Sequence, residues 1–283
     1  MKAAALNKAH EIAEVIKVHQ KTITLHIAGW IDLSLIDVLG DTSFVIWFNY
    51  CNFRCPWCQN AHVVNATVTK EVTIEEVIEA VEKSSKFLGY LHATGGEPTL
   101  QAEGLEILFK KCKDELGVKT SISTNGSKTE VINNLLENKL LDHIAIDVKA
   151  PLNNVKKYRE IVGLTNVQHF EKTLEAIKNS IEAAIEKAEF IEFRTTFVPT
   201  LLSEDDILEI AKNLKEEFNY EKRCKAAYIL QQFIPRETLI DPNLMKLERT
   251  SVESLLRTAK RIKKEINLNE VYIRSQEVGT KKI

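Results

Sequence analysis

The amino-acid sequence predicts an α/β fold in which a mostly parallel sheet forms a partial (β/α)6 TIM-like barrel. Two observations support this prediction. From Ser43 onward, short apolar segments typical of buried strands alternate with amphipathic segments typical of helices, and this alternation is the pattern of a parallel sheet covered by helices. We count about six strand–helix units, whereas a complete barrel needs eight, so an open barrel is expected.

The predicted elements follow one another in regular order. Strands are expected at 43–50, 87–94, 119–123, 143–148, 190–198 and 226–233, with a last short strand at 271–274. Helices are expected from Thr73, from Pro98 to Gly117, and over 128–138, 167–188, 203–218 and 250–266. Thr73 and Glu76 fit a capping box, and a proline at the start with a glycine at the end is typical of helix boundaries.

The residues ahead of these units are predicted to form an extension over 1–40, followed by the barrel and its C-terminal helix over 41–283. Residues 1–20 place apolar side chains among charges, which predicts an amphipathic helix. Residues 21–27 and 31–38 each alternate in the manner of a strand, which predicts a hairpin that turns at Gly29 and Trp30.

The composition is that of an ordinary globular protein and excludes several classes of function. With 44% hydrophobic and 28% charged residues, extensive disorder is not expected. The formal net charge of -2 gives no overall attraction to nucleic acid. No run of about eighteen apolar residues occurs, so a membrane span is not expected. The N-terminal residues carry charges throughout and lack the apolar core of a signal peptide, so we expect a cytoplasmic protein.

Three of the five cysteines fall within eight residues, directly after the first buried strand: Cys51, Cys55 and Cys58. Clustered thiols without an export signal indicate a metal site rather than disulfide bonds. Three thiolates suit a multi-iron cluster. A zinc site would need a fourth ligand, for which His62 is the nearest candidate, so a zinc-stabilised binding module without catalysis stays open. Cys112 and Cys224 are expected to be ordinary thiols.

The spacing of these cysteines, with Trp57 just before the third, resembles the signature of the radical S-adenosylmethionine (radical SAM) superfamily. The resemblance implies a [4Fe–4S] cluster on Cys51, Cys55 and Cys58, with an open iron that binds the amino and carboxylate groups of S-adenosylmethionine. It also implies that an electron from the cluster cleaves the cofactor to a 5′-deoxyadenosyl radical. Trp57 occupies the aromatic place of the signature and is expected beside the cofactor.

Two further strand ends resemble motifs of the same superfamily. Gly95, Gly96 and Glu97, before Pro98, are similar to its GGEP motif, which implies that this backbone edge and the glutamate receive the methionine ammonium. Alone, the segment could be a plain turn between strand and helix. Ser123 and Asn125 resemble the element that borders the ribose, although Asn125 followed by glycine could also be only a turn.

Polar residues on later strands complete the predicted site. Asp147 and Lys149 are similar to the Asp-x-Lys element of glycyl-radical activating enzymes, and a simple ion pair is the alternative. Arg194 lies within an apolar strand, where a buried arginine needs an anionic partner. The methionine carboxylate is one such partner and Glu192 is the other.

The stretch from Gly29 to Asn60 resembles the opening of anaerobic ribonucleotide reductase activating proteins and pyruvate formate-lyase activating enzymes. This implies a glycyl-radical enzyme, such as anaerobic ribonucleotide reductase, as protein substrate, and a flavodoxin- or ferredoxin-type electron donor. Three residues depart from the family pattern: Leu39 replaces a proline, Tyr50 a glycine and Gln59 a histidine. Tyr50 adds bulk beside the expected cluster.

A second hypothesis for the enzymatic function stays open at this point. A radical SAM enzyme acting on a small molecule or a tRNA base, of the deazapurine or wybutosine type, would need a polar pocket on the fifth and sixth strands. Arg194, Gln231 and Gln232 leave such a pocket open. The cysteines for an auxiliary cluster are missing from the sequence, which fits a single-cluster enzyme.

Overall fold

The structure is a computed structural model, and it describes residues 23–165, 168, 170–222 and 225–283. The helix predicted over 1–20, the start of the strand predicted at 21–27, and Cys224 lie outside the described residues. Positions 167 and 169, at the start of the helix predicted over 167–188, also lie outside the described residues.

In the described residues, one mixed sheet contains the strands β1 Thr24–Val38, β2 Asp41–Phe48, β3 Lys70–Thr73, β4 Tyr90–Gly95, β5 Lys119–Thr124, β6 His143–Asp147, β7 Phe190–Phe197, β8 Ala226–Gln232, β9 Val271–Ser275 and β10 Gly279–Lys282. The α-helices are α1 Ala61–Val64, α2 Ile74–Ser84, α3 Ala102–Leu116, α4 Thr129–Glu137, α5 Val155–Ile161, α6 Phe170–Lys187, α7 Glu204–Glu216 and α8 Val252–Arg261. A π-helical turn, Ile262–Ile266, extends α8.

The sheet order is β10-β9-β8-β7-β6-β5-β4-β2-β1-β3. From β2 to β9 every neighbouring pair is parallel, and helices connect these strands. The outer pairs β2–β1, β1–β3 and β9–β10 are antiparallel. Six strand–helix units followed by β9 confirm the predicted α/β partial barrel, with β3 and β10 as the two ends of the sheet.

The strands and helices form where the sequence patterns indicate. The parallel strands are mostly buried, as β2 and β7 show, because helices cover them. Thr73 caps α2 in a complete capping box with Glu76, and Gly117 ends α3 in the left-handed conformation with φ +64°. The helix predicted from Pro98 begins as a 3-10 turn over Pro98–Gln101 and continues as α3.

The hairpin predicted to turn at Gly29 and Trp30 is wrong in its position. Residues 24–38 form one long strand, β1, which pairs with β2 after a turn at Leu39 and Gly40. The register shifts between Ile27 and Gly29, so a bulge at the glycine, rather than a turn, interrupts the alternation of side chains.

Candidate functional site

A cavity of about 710 Å³ lies at the carboxyl ends of the parallel strands. All but one of the predicted site residues line it: Cys51, Cys55, Trp57, Cys58, Gly95, Gly96, Ser123, Asn125, Asp147, Lys149 and Arg194. Glu97 is the exception. Residues scattered over more than 140 positions of the sequence thus meet in one place, because parallel strands end at the same edge of the sheet. The individual roles assigned to them stay predictions.

The cysteine loop follows β2 and is held against its surroundings by backbone hydrogen bonds. The Cys58 N–H donates to the Cys55 carbonyl at 3.0 Å, and the Arg54 N–H donates to the Val162 carbonyl at 2.9 Å. Gly163 makes room for this contact, because a Cβ there would lie 2.0 Å from the Arg54 carbonyl oxygen. The loop is therefore fixed to the end of α5 as well as to β2.

The chemistry of this donor set fits an iron–sulfur cluster. Cys51, Cys55 and Cys58 have no disulfide partners and open on the same cavity. Burial raises the pKa of Cys51 to about 11 and that of Cys55 to about 12, so the free thiols keep their protons until a metal replaces them. In a [4Fe–4S] cluster each cysteine binds a different iron. Within the described ranges, no three His, Cys, Asp or Glu side chains are arranged to hold a single metal ion.

The glycine edge after β4 packs directly on the cysteine loop. The Gly96 N–H donates to the Phe48 carbonyl at 2.8 Å, and the Glu97 N–H donates to the Tyr50 carbonyl at 2.7 Å. A Cβ on Gly96 would lie 1.9 Å from the Tyr50 carbonyl oxygen, so only glycine permits this approach. The two motifs recognised separately in the sequence thus share one interface.

Tyr50, which departs from the glycine of the family pattern, adopts a glycine-like backbone with φ +71°. Its side chain is 44% exposed and its ring meets that of His26 edge to face, with the ring centroids 6.1 Å apart. The bulk of the tyrosine therefore points outward, and close packing of the loop on the glycine edge is preserved at the expense of a left-handed residue.

Glu97 is fully buried and does not line the cavity. Its carboxylate accepts hydrogen bonds from the Thr99 hydroxyl at 2.6 Å, the Thr124 hydroxyl at 2.8 Å and the Asn125 N–H at 2.7 Å. Burial raises the pKa of Glu97 despite these donors. In this geometry Glu97 fixes the end of β5, and its predicted contact with the methionine ammonium stays a prediction.

Asn125 links the end of β5 to the cysteine loop. Its Nδ2 donates to Asn52 Oδ1 at 2.9 Å and lies 3.9 Å from Cys51 Sγ. Asn52 was not singled out in the sequence, although it directly follows a predicted ligand. A side-chain amide next to Cys51 is the kind of contact that orients a cluster ligand.

Asp147 and Lys149 form the ion pair that the sequence left as an alternative, with Lys149 Nζ 2.7 Å from Asp147 Oδ2. Burial disfavours the charged amine, but Asp147 outweighs it and raises the pKa of Lys149. The ammonium also lies 5.2 Å from the centre of the Trp57 ring, within the range of a cation–π contact. The lysine thus places a permanent positive charge beside the cysteine loop.

Arg194 is paired with Glu192, the second partner considered in the sequence. Glu192 Oε2 lies 2.6 Å from Arg194 Nη2, and Glu192 is fully buried. Burial alone would raise the pKa of Glu192, but Arg194 lowers it overall. Arg194 also donates to Ser123 Oγ at 3.0 Å and to the Asp37 carbonyl, so it joins β5, β7 and the end of β1 at the cavity wall.

Two histidines extend this network into the barrel and were not recognised as part of the site. Ser121 Oγ lies 2.6 Å from His92 Nδ1 and 2.7 Å from His143 Nδ1, while His143 Nε2 lies 3.2 Å from Glu192 Oε1. Burial lowers the pKa of both imidazoles. These residues lie behind the cavity and support Ser123 and Arg194.

The remaining cavity wall comes from the last strands. Gln231 and Gln232 both line the cavity, as does Arg194. Gln59, another departure from the family pattern, donates from Nε2 to the Ile234 carbonyl at 2.9 Å and so connects the cysteine loop to the segment after β8.

No helix in the described part of the chain is long and apolar enough to cross a membrane.

Comparison with known proteins identifies the family. A model described as the radical SAM superfamily matches residues 45–214, more than half of the chain. A putative glycyl-radical enzyme activating enzyme of Methanocaldococcus jannaschii is 34% identical over 85% of this chain and 93% of its own length. The pyruvate formate-lyase-activating enzyme of Clostridium pasteurianum is 27% identical over 82% of this chain and 90% of its own.

A relative of the alternative type matches less of the chain. The 7-carboxy-7-deazaguanine synthase of Thermococcus kodakarensis is 28% identical over 39% of this chain and 50% of its own length. These relatives are enzymes, so the zinc-stabilised binding module is set aside. The chain belongs to the radical SAM superfamily and is an enzyme that uses a [4Fe–4S] cluster to cleave S-adenosylmethionine reductively.

Proposed function

We propose that this enzyme activates a glycyl-radical enzyme. One electron from a reduced donor cleaves S-adenosylmethionine to methionine and the 5′-deoxyadenosyl radical, which accepts a hydrogen atom. The α C–H bond of one glycine in the partner protein then breaks homolytically. The hydrogen atom completes 5′-deoxyadenosine, and the unpaired electron stays on the glycine.

The observation that carries this proposal is the extent of the similarity to activating enzymes. The relative from Methanocaldococcus jannaschii aligns over 85% of this chain and nearly all of its own length, so the likeness includes the later strands as well as the cluster loop. Those strands line part of the same cavity, through residues such as Gln231 and Arg274, and these residues could contact a substrate.

The open sheet supports a protein substrate. Residues from β1 and from β10 line the same cavity: Ile36, Asp37, Gly279 and Thr280. These two strands do not pair with each other in the described structure. A cavity that reaches a gap between strands can accept a loop still attached to a large protein, whereas a closed barrel admits substrate only at its mouth.

Within the site, the chain's own residues would bind and orient the reactants. Cys51, Cys55 and Cys58 would hold the cluster. The glycine edge at Gly95 and Gly96, with Ser123 and Asn125, would border the cofactor, while Lys149 and Arg194 would supply fixed positive charge at the cavity wall. Trp57 would cover the cofactor beside Lys149.

The identity of the partners is part of this proposal. Anaerobic ribonucleotide reductase is our candidate protein substrate, because the stretch from Gly29 to Asn60 resembles the opening of its activating proteins. A flavodoxin- or ferredoxin-type protein is the candidate electron donor, and the cytoplasm is the proposed location.

The test is anaerobic incubation of the reconstituted enzyme with S-adenosylmethionine, dithionite and the anaerobic ribonucleotide reductase of the same organism. We expect the electron paramagnetic resonance doublet of a glycyl radical on the reductase. The same reductase with its radical glycine replaced by alanine is the control and should give no signal. Cofactor cleavage without any glycyl signal would instead favour a small-molecule or tRNA-base substrate.

A further inference from the structure

The second half of β1 exposes a row of large apolar side chains. Ile31 and Leu33 are each 48% exposed, Leu35 is 71% exposed and Ile36 is 67% exposed. Single exposed apolar residues are common, but four large apolar side chains exposed within six residues of one strand are an unusual concentration of apolar surface. We call Ile31, Leu33, Leu35 and Ile36 the β1 strip.

The backbone beside the β1 strip is also unpaired on one side. One edge of β1 pairs with β2 along most of its length. The other edge pairs with β3 only from Thr24 to Ile27, and beyond Ile27 no strand in the described ranges covers it. Folded proteins usually protect such an edge with lysine, proline or a covering loop. This edge is interrupted by register shifts between Ile31 and Ser34 and between Ser34 and Val38, and it exposes apolar side chains rather than lysine or proline.

The β1 strip leads directly into the cavity. Ile36 and the adjacent Asp37 line the cavity wall. The end of β1 is fixed there by two contacts: Arg194 donates to the Asp37 carbonyl, and the Leu39 N–H donates to Glu192 Oε1 at 2.7 Å. A segment lying along the strip would therefore be guided to the site by a rigid part of the protein.

The chemistry of the strip selects its occupant. An unpaired strand edge offers main-chain hydrogen bonds and apolar contacts, which together are the requirements for adding an extended peptide as a further strand. The charged side chains on this stretch are Asp32, which is exposed, and Asp37, so an occupant with basic as well as apolar residues fits best.

Building on the proposed function, we propose that an extended segment next to the radical-accepting glycine loop of the partner enzyme adds as a strand to the free edge of β1 and covers the β1 strip. Main-chain hydrogen bonds would hold this segment in register, and Ile36 would direct the glycine loop into the cavity. This surface would then contribute to partner affinity without touching the cluster.

Charge substitutions on the strip test this proposal. Leu33→Lys and Leu35→Lys change exposed side chains that do not line the cavity, so the fold and the cleavage of S-adenosylmethionine in the absence of partner should be unchanged. A lysine there removes apolar contact and repels a basic occupant. The reductase concentration needed for half-maximal glycyl-radical formation should rise at least tenfold. Phe87→Lys is the matched control: Phe87 is 72% exposed, and it precedes β4, which β2 separates from β1 in the sheet.

Hydrogen exchange provides the readout that does not depend on radical chemistry. Anaerobic ribonucleotide reductase, used as the probe, should slow exchange of the amides in 30–36 in the wild type and much less in Leu35→Lys. Radical formation with wild-type concentration dependence in Leu35→Lys, or without slowed exchange at 30–36, would overturn the strand-addition proposal while leaving the activating function intact. Absence of a radical with the wild-type enzyme, despite cofactor cleavage, would count against the function itself.

Two other occupants are distinguished by the same measurement. If protection of the amides in 30–36 from exchange increases with enzyme concentration in the absence of reductase, the edge would be assigned to a second copy of this chain. If this protection is lost when residues 1–22 are removed, the edge would be assigned to that segment. Either result would overturn the proposal.

Discussion

Glu192 Oε2 lies 2.6 Å from Arg194 Nη2 and 2.7 Å from Arg194 Nε, and the two residues project from the same face of β7 because they are two positions apart. This buried pair is the junction of the cavity wall. It supports Ser123 on β5 through Arg194 and the turn after β1 through the Leu39 N–H.

Removing the carboxylate should be costly. Glu192→Gln keeps the shape of the side chain but leaves Arg194 as a buried, uncompensated cation, which costs about 3–5 kcal/mol of unfolding free energy. Denaturant titration would measure this loss. Glu270→Gln is the control, because Glu270 pairs with Lys282 at an exposed position where such pairs contribute about 0–1 kcal/mol. Equal losses in the two variants would contradict the role assigned to Glu192.

Replacing any of the three loop cysteines should abolish cluster binding. Cys55→Ala leaves two thiolates, which cannot retain a cluster that has three protein ligands. After anaerobic reconstitution we expect loss of the iron–sulfur absorbance and of S-adenosylmethionine cleavage. Cys112→Ala is the matched control, because Cys112 is buried in α3 away from the cavity and its variant should retain both. A stable cluster in Cys55→Ala would refute the ligand assignment.

Gly96→Ala should separate the cysteine loop from the glycine edge. The new Cβ would meet the Tyr50 carbonyl oxygen, and such overpacking typically costs about 1–3 kcal/mol. Thermal unfolding and S-adenosylmethionine titration should both show a loss. Gly117→Ala adds a Cβ in open space at φ +64°, so it should cost about 1–2 kcal/mol from the left-handed backbone and leave cofactor affinity unchanged. Unaltered affinity in Gly96→Ala would argue against the shared interface.

The buried histidines predict a pH dependence of stability. Burial lowers the pKa of His92 well below its ordinary value of 6.5, and it also lowers that of His143. Below about pH 6.5 these histidines bind protons in the unfolded chain but not in the folded chain. Stability is therefore complete above this pH and falls below it, by at most about 1.4 kcal/mol per pH unit for each histidine until the pH reaches the pKa of that histidine in the folded protein.

Denaturant titrations at several pH values between 5 and 8 would give the unfolding free energy at each pH, and its slope against pH would check this dependence. His92→Gln should make the slope below about pH 6.5 shallower, even though the substitution also lowers stability overall. An unchanged slope would show that His92 does not contribute in the way its burial implies.

Much of this fold could be read from the sequence, because buried parallel strands are apolar along their whole length and helix ends carry recognisable caps. The segment SFVIWFNY and the pair of Thr73 and Glu76 are examples. The cysteine loop and the glycine edge were also recognisable, since each is a local motif. Their direct contact, through Gly96 and the Tyr50 carbonyl, follows only from the parallel pairing of β2 and β4.

The histidine network could not be predicted in the same way. His92, Ser121 and His143 lie side by side because they are register partners on β4, β5 and β6, and a single sequence does not reveal register. The turn predicted at Gly29 failed for a related reason: a bulge and a turn interrupt the alternation of side chains alike, and only pairing with β2 distinguishes them.

The central claim, that the enzyme removes hydrogen from a glycine of its partner, is tested most directly by isotope transfer. The anaerobic ribonucleotide reductase would be prepared with α-deuterated glycine and incubated anaerobically with this enzyme, S-adenosylmethionine and dithionite. Mass spectrometry of the 5′-deoxyadenosine should then show deuterium from the reductase, which disappears when the radical glycine is replaced by alanine. Unlabelled 5′-deoxyadenosine formed in the presence of the labelled reductase would contradict the claim.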